Sequence, residues 1–277
     1  MLDKNDFMHK SIALESEKKA NKSKSDFLSR MSHDMRTPLN GIIGLLKIAE
    51  KHFDDSELVL ENFGKMQVAA DYLLSLINDI LQMSKIEDGN VPLTQEIINF
   101  DELSQDVLTI IEQRAKDRGI QMQFRSKKEG LRYPFIYGSP VHMRQIFLNI
   151  YGNCIKYNRI GGKIITVSDY TEAVDGITTY EWTITDTGIG MSREYQEYIF
   201  EPFSQEREDA RSTQQGIGLG MAIVKGLIEK MGGTIEVKSE EGIGSTFIIR
   251  IPFKLAPAPD TVKKTAAQMD ILSLIHI

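Results

Sequence analysis

The chain has 277 residues, 41% of them hydrophobic and 26% charged; this is the balance of a globular protein with length for about two domains. Its net charge of −6 argues against nucleic acid as a partner, and a single cysteine, Cys154, excludes an internal disulfide framework and suits a reducing compartment. No apolar run nears the roughly 18 residues of a membrane span and no apolar leader opens the chain, so the expected location is cytoplasmic, free or as the cytosolic part of a membrane-anchored parent, with no membrane contact from this segment.

Residues 1–24 are polar and, from residue 4, free of Gly and Pro; they read as an incoming helix or linker. A helical domain is expected over 25–90. Its first helix repeats Phe27, Leu28, Met31, Met35, Leu39, Ile42, Ile43 and Leu46 at three- and four-residue steps. The segment HFDDSE breaks it, and Asp54 three before Glu57 has capping-box spacing. A second helix carries Phe63, Met66, Ala70, Leu73, Leu74, Ile77, Leu81 and Ser84 on one face, until Gly89 and Pro92 stop it. Two helices cannot bury stripes this wide. Either the hairpin pairs with a second copy as a four-helix bundle, or it docks on the rest of its own chain.

From 96 to 254 the pattern is mixed. Strands are predicted over 97–100, 120–124, 135–137, 163–170, 178–185, 234–238 and 246–253, where β-branched and aromatic residues cluster. Helices are predicted over 101–118, 140–157, 192–199 and 217–231, with Asp101 capping the first and Ser139–Pro140 opening the second. The elements do not alternate as regular βαβ units, so the class is α+β, an α/β sandwich after a helical hairpin. Residues 255–277 form a linker or tail.

Several motifs carry chemistry. His33 lies in SHDMRTPL on the first helix. Imidazole is a nucleophile that needs little help to lose its proton near neutral pH. Asp34 can orient the ring or take that proton. Pro38 lacks an N–H, and Thr37 sits one turn from His33 on the same face. In NIYGNCIKY, Asn149 and Asn153 share a helix face with Lys156; amide oxygens suit Mg²⁺ and an ammonium suits phosphate. Cys154 between them reads as a small buried residue. DTGIG places Asp186 after a strand, with Gly188 and Gly190 giving turns of positive φ and close backbone approach. In FEPF, Phe200 and Phe203 flank Pro202 and pack the root of a polar loop. GIGLG (Gly216, Gly218, Leu219, Gly220) opens an apolar helix whose N-terminal amides attract anions. Arg211 in the preceding loop either reaches a terminal phosphate or stays solvated. GIGSTF turns into the last strand, with Thr246 either holding a base through its hydroxyl or simply following a glycine turn. The glycine spacing fits neither a dinucleotide fingerprint nor a P-loop.

Taken in order, these five blocks, with GIGLG and the following GIGSTF counted as one, resemble the catalytic core of a two-component sensor histidine kinase over residues 25 to 254. The resemblance implies a homodimer that autophosphorylates His33 from ATP and Mg²⁺ and passes the phosphoryl group to an aspartate of a response-regulator receiver domain, in trans or fused in a longer parent chain. It implies that Asp34 acts as base, in a position more often held by Glu, and that Thr37 places a water for phosphatase action on that partner. It makes Asn153 the preferred Mg²⁺ ligand with Asn149 its helper, Lys156 a phosphate contact, Tyr157 an adenine-packing ring and Asp186 the acceptor for the exocyclic amine. Phe203, Arg211 and the glycines of the loop and lid complete the nucleotide site. Related gyrase- and chaperone-type ATPases carry a water-activating Glu where Asn149 stands. An ATPase clamp of that type, or a scaffold that only senses nucleotide, are the rival expectations.

Overall fold

The computed structural model describes residues 31–128, 130, 132–206 and 218–258. The helix expected over 1–24, the apolar residues Phe27 and Leu28, most of the tail, and Arg211 and Gly216 lie outside them. Contacts divide the chain into two units, the first ending at Gln82 and the second beginning at Met83.

In the N-terminal unit, helix α1 covers 31–51 and α2 covers Ser56–Glu87, the last turn of which falls in the second unit. The cap of α2 lies one residue later than the spacing suggested. Asp55, not Asp54, accepts the N–H of Leu58 at 3.1 Å, because its carbonyl already takes the first helical bond, from Val59. At the other end Gly89 has φ of 72°. Its N–H donates to Ile86 and that of Asn90 to Lys85, the pair of bonds of a Schellman cap that only a left-handed residue permits. Much of the expected apolar stripe is open in one chain: Leu39, Ile43, Leu46, Phe63, Leu74 and Leu81 are each more than two-fifths exposed. Asn62 is buried on α2, and its Nδ2 has no hydrogen-bond partner among the described residues.

The C-terminal unit is one seven-stranded sheet covered on one face by helices. In chain order it runs β1 (Glu96–Asn99), α3 (Phe100–Asp117), β2 (Gln121–Ser126), β3 (Phe135–Gly138), α4 (Pro140–Lys156), β4 (Lys163–Tyr170), β5 (Ile177–Asp186), α5 (Arg193–Tyr198), α6 (Gly220–Lys230), β6 (Thr234–Glu240) and β7 (Gly244–Leu255). The strand order is β1-β3-β7-β5-β4-β2, with β6 also paired to β7. Among the described strands only β2 and β4 pair in parallel. Burial alternates strictly along β5: Thr178, Tyr180, Trp182 and Ile184 face the helices, as period-two geometry requires. Against them pack Ile111 of α3, Met143, Ile146 and Ile150 of α4, and Ile223, Leu227 and Ile228 of α6, all essentially inaccessible. Phe100 and Tyr180 stack at 4.9 Å and Tyr180 and Trp182 at 5.6 Å.

Two caps differ from expectation. Helix α3 is capped by Asn99, whose side chain accepts the N–H of Asp101 at 3.2 Å; Asp101 is already inside the helix. Ser139 precedes Pro140 at the start of α4 but makes no capping bond. Its Oγ instead pairs with His142 Nδ1 at 2.7 Å and accepts from Thr94 at 3.0 Å.

Candidate active site

The N-terminal unit presents His33 on α1 with its side chain 78% exposed. The helical repeat places Asp34 beside it, and Oδ1 of Asp34 lies 3.2 Å from Nδ1 of His33. The shorter aspartate side chain therefore does reach the ring. With the proton on Nδ1 donated to that carboxylate, the Nε2 lone pair faces outward. Thr37 Oγ1 donates to the carbonyl of His33 at 3.2 Å. Burial raises the phenol pKa of Tyr72 on α2, and the charges of Asp34 and Asp79 add to the shift.

The C-terminal unit gathers the other motifs where β5, α4 and α6 end or begin. Asp186 closes β5 on its helix-facing side and is 6% exposed. Its Oδ1 accepts from the N–H of Gly188 at 2.8 Å and of Ser245 at 3.3 Å. Burial pushes its carboxyl pKa up, and the two N–H donors and the Cys154 thiol offset part of that rise. Cys154 is buried as expected; burial first, then the Asp186 charge, pushes its thiol pKa well up.

The glycine loop after β5 is held by its neighbours. Ile189 N–H donates to the carbonyl of Tyr157 at 3.0 Å, and Gly242 N–H donates to Ile189 at 2.6 Å. Of the two glycines expected to have positive φ, only Gly190 does, at 68°. Gly188 is needed for a different reason, since a Cβ there would fall on the Tyr157 carbonyl. Tyr157 is 48% exposed, and the Lys156 ammonium lies 4.8 Å over its ring.

Asn149 meets the start of α6 directly. Its Nδ2 donates to the carbonyl of Gly220, the first residue of α6, at 3.4 Å. Asn153 lies one turn further along α4 and is half-buried. Leu219 is 1% exposed and anchors the start of α6. Phe203 takes a φ of 67°, unusual for an aromatic residue. Its N–H donates to Gly218 at 3.0 Å, and a Cβ on Gly218, φ 79°, would press on Ser204 and Phe203. Phe203 and Gly218 thus lie against one another. Phe200 packs below the Lys225 ammonium at 5.9 Å.

Thr246 is not brought to Asp186. Strand alternation places it on the opposite face of β7 from Ser245 and Phe247, and its hydroxyl pairs with Thr185 at 3.0 Å. The residue that meets Asp186 from this strand is Ser245, through its backbone.

Residues 23–89 match the His Kinase A (phospho-acceptor) domain family, and residues 138–255 match the Histidine kinase-, DNA gyrase B-, and HSP90-like ATPase family. The chain belongs to the sensor histidine kinases of two-component signalling. Its C-terminal unit is the ATP-binding domain of this histidine kinase core. Sensor protein GacS of Pseudomonas syringae pv. syringae is 37% identical over 238 residues, which is 84% of this chain and 25% of that protein. Virulence sensor protein BvgS of Bordetella bronchiseptica is 34% identical over 260 residues, 92% of this chain and 21% of that protein. The chain thus spans about a quarter of the length of these relatives. Among solved structures, full-length ShkA in complex with AMPPNP superposes with a TM-score of 0.61 at 30% identity, covering 84% of this chain and 47% of that one. No helix among the described residues of this kinase core is long and apolar enough to cross a membrane.

Local sequence gave no sign of two groups in this kinase core. Ser245 N–H holds Asp186 from 59 positions away, and Gln196 of α5 bonds Ser239 across 43. Neither belongs to a recurring spacing; only strand register places them.

Proposed function

We propose that the chain phosphorylates itself on His33 from ATP and then donates the phosphoryl group to an aspartate of a response-regulator receiver domain. The observation that carries this is an outward-facing imidazole braced by a carboxylate on one unit, in a chain whose other unit holds a buried carboxylate beside a glycine loop and a glycine-opened helix. Nε2 of His33 attacks the terminal phosphorus of ATP; the bond to the β–γ bridging oxygen breaks and ADP leaves. The ring becomes cationic as the N–P bond forms, and Asp34 stabilises that charge and accepts the Nδ1 proton. On release to the receiver aspartate the order reverses.

Asp186 accepts a hydrogen bond from the adenine amine. Tyr157 packs the base, with Lys156 moving from its ring to the phosphates. The N-terminal amides of α6 and the lid arginine Arg211 meet the phosphate charge. Among the described residues no cluster of three or more His, Cys, Asp or Glu forms a metal cage. The amide oxygens of Asn153 and Asn149 suit an ion that keeps most of its ligands as phosphate oxygens and water. Mg²⁺ bound there would neutralise charge on the phosphates. No carboxylate stands where Asn149 is, so this unit lacks a water-activating base at that position. Thr37, tied to the His33 backbone, would position a water for the phosphatase reaction on the same partner. The open stripes of α1 and α2 would be covered by a second copy in a four-helix bundle.

Incubation of the chain with labelled ATP and Mg²⁺ tests this. The protein should carry label that survives base and is lost in acid, and His33→Ala should remove it. Bound nucleotide with no label on His33 refutes the proposal. Transfer of the label to receiver-domain proteins tests the second step.

A further inference from the structure

One group of bonds around the nucleotide site is left without a role by the chemistry above. Gln196, half-buried on α5, pairs with Ser239 as a neighbouring strand residue would. Its Oε1 accepts the N–H of Ser239 at 3.0 Å, and its Nε2 donates to the Ser239 carbonyl at 3.0 Å. The same Nε2 lies 3.2 Å from the carbonyls of Met191 and of Ser192, where the chain leaves the glycine loop.

Ser239 carries the connection onward. Its Oγ accepts from Met191 N–H at 2.9 Å, donates to the Gly244 carbonyl at 2.9 Å and lies 2.9 Å from Ser245 Oγ. A hydroxyl has one proton and two lone pairs, so these three contacts use its full capacity. The N–H of Ser245 then donates to Asp186. A path of hydrogen bonds running through the residues Ser239 and Ser245 thus joins the side chain of Gln196 to the carboxylate of Asp186. Helix α5 also bonds the segment after FEPF, since Tyr195 Oη donates to the Ser204 carbonyl at 3.1 Å.

We infer that Gln196 is a positioning residue for the nucleotide: it fixes Ser239, and through Ser239 and Ser245 it aims the carboxylate of Asp186 at the base. This rests on reading Asp186 as the contact for the adenine amine. A side chain that merely packed α5 against β6 would need none of the four bonds. A carboxylate read by one amine is sensitive to small displacements, because hydrogen bonds weaken steeply off-axis.

The test measures ATP and inosine triphosphate binding to the full chain by calorimetry. Inosine triphosphate carries an oxo acceptor in place of the amine donor, so the bond from the exocyclic amine to Asp186 is lost. Gln196→Met keeps the length and removes all four bonds. It should weaken ATP about tenfold, the loss of about one hydrogen bond to a charged acceptor, and leave inosine triphosphate within about twofold. In an Asp186→Asn background it should have little further effect on ATP, as coupled positions do. Gln196→Glu keeps the acceptor but turns a carboxylate toward three carbonyls. Its deficit against the parent should shrink as pH falls and the new carboxyl regains a proton to donate, whereas the Gln196→Met deficit should not. Ser239→Ala should repeat the ATP-selective loss, and it carries the test if the Gln196 variants fail to fold. Equal losses for both nucleotides, or additivity with Asp186→Asn, overturn the inference. If Asp186→Asn weakens ATP while folded Gln196→Met does not, this inference alone falls. If Asp186→Asn leaves ATP binding unchanged, the base-contact reading falls and takes this inference with it.

Discussion

Gly226 sets two effects of similar size against each other. It lies inside α6, where replacing glycine by alanine normally gains roughly 1 kcal/mol of helix propensity. A Cβ at this position would stand 2.5 Å from Cγ2 and 3.3 Å from Cδ1 of Ile86, in the last turn of α2. Both residues belong to the C-terminal unit, where Lys230 Nζ also donates to the Gly89 carbonyl at 3.1 Å. Ordinary carbon contact is about 3.5–4.0 Å, so Ile86 must retreat by more than about 1 Å. Its Cγ2 sits on the branch carbon and cannot swing away as a chain end could. Overpacking of this kind costs about 1–3 kcal/mol, so the clash outweighs the propensity. Gly226→Ala should lower the calorimetric midpoint of the C-terminal unit, at about 2–4 °C per kcal/mol for a domain of this size. With Ile86→Ala already in place, the same substitution should raise it, because only the propensity term remains. A rise of equal size in both backgrounds would show that Ile86 does not press on α6 and would refute the reasoning.

Asp186→Asn should stabilise the fold while weakening ATP. The folded carboxyl has its pKa raised by burial, so the native state binds a proton more readily than the unfolded chain. Its contribution is most favourable below the unfolded value of 3.8 and is lost as pH rises through the folded one. Melting midpoints should therefore favour the variant at neutral pH, with the gap closing as pH falls; a gap that widens in acid contradicts the assignment. Asn62→Leu should raise the melting midpoint of the hairpin, since a buried donor without a partner costs about 1–3 kcal/mol. A lower midpoint would show that this amide is paired in the assembled protein.

Sequence alone made most of the sheet legible, and the reason is physical. Strands such as β5 and β7 are buried on one face, so their residues alternate, and the alternation fixes the register. Helix ends were less legible: Asp54 and Asp55 are equally good caps on paper, as are Asn99 and Asp101. The backbone conformation that decides between them depends on where the preceding turn or strand leaves off. The motifs that hold Asn149, Asp186, Gly188, Gly190, Gly218 and Gly220 stand out in the sequence, and the roles assigned to these residues come from the resemblance those motifs carry. The different needs of Gly188 and Gly190 were not, because the carbonyl that excludes a side chain at Gly188 belongs to Tyr157, on another element. Thr246 and Ser245 could not be told apart for a similar reason, since one position along a strand reverses the face. The Gln196–Ser239–Ser245 bonds were invisible, because a long-range polar contact leaves no periodic trace in the chain.

Trp182 is the single tryptophan of the chain and is 4% exposed, between aromatic neighbours in the sheet of the C-terminal unit. Its emission therefore reports on that unit and is silent for the hairpin. Far-UV ellipticity, by contrast, counts the helices of both. Denaturant curves recorded with the two signals on one unlabelled sample resolve which part of the kinase loosens first. A substitution in either part can then be assigned to its effect there without any attached dye.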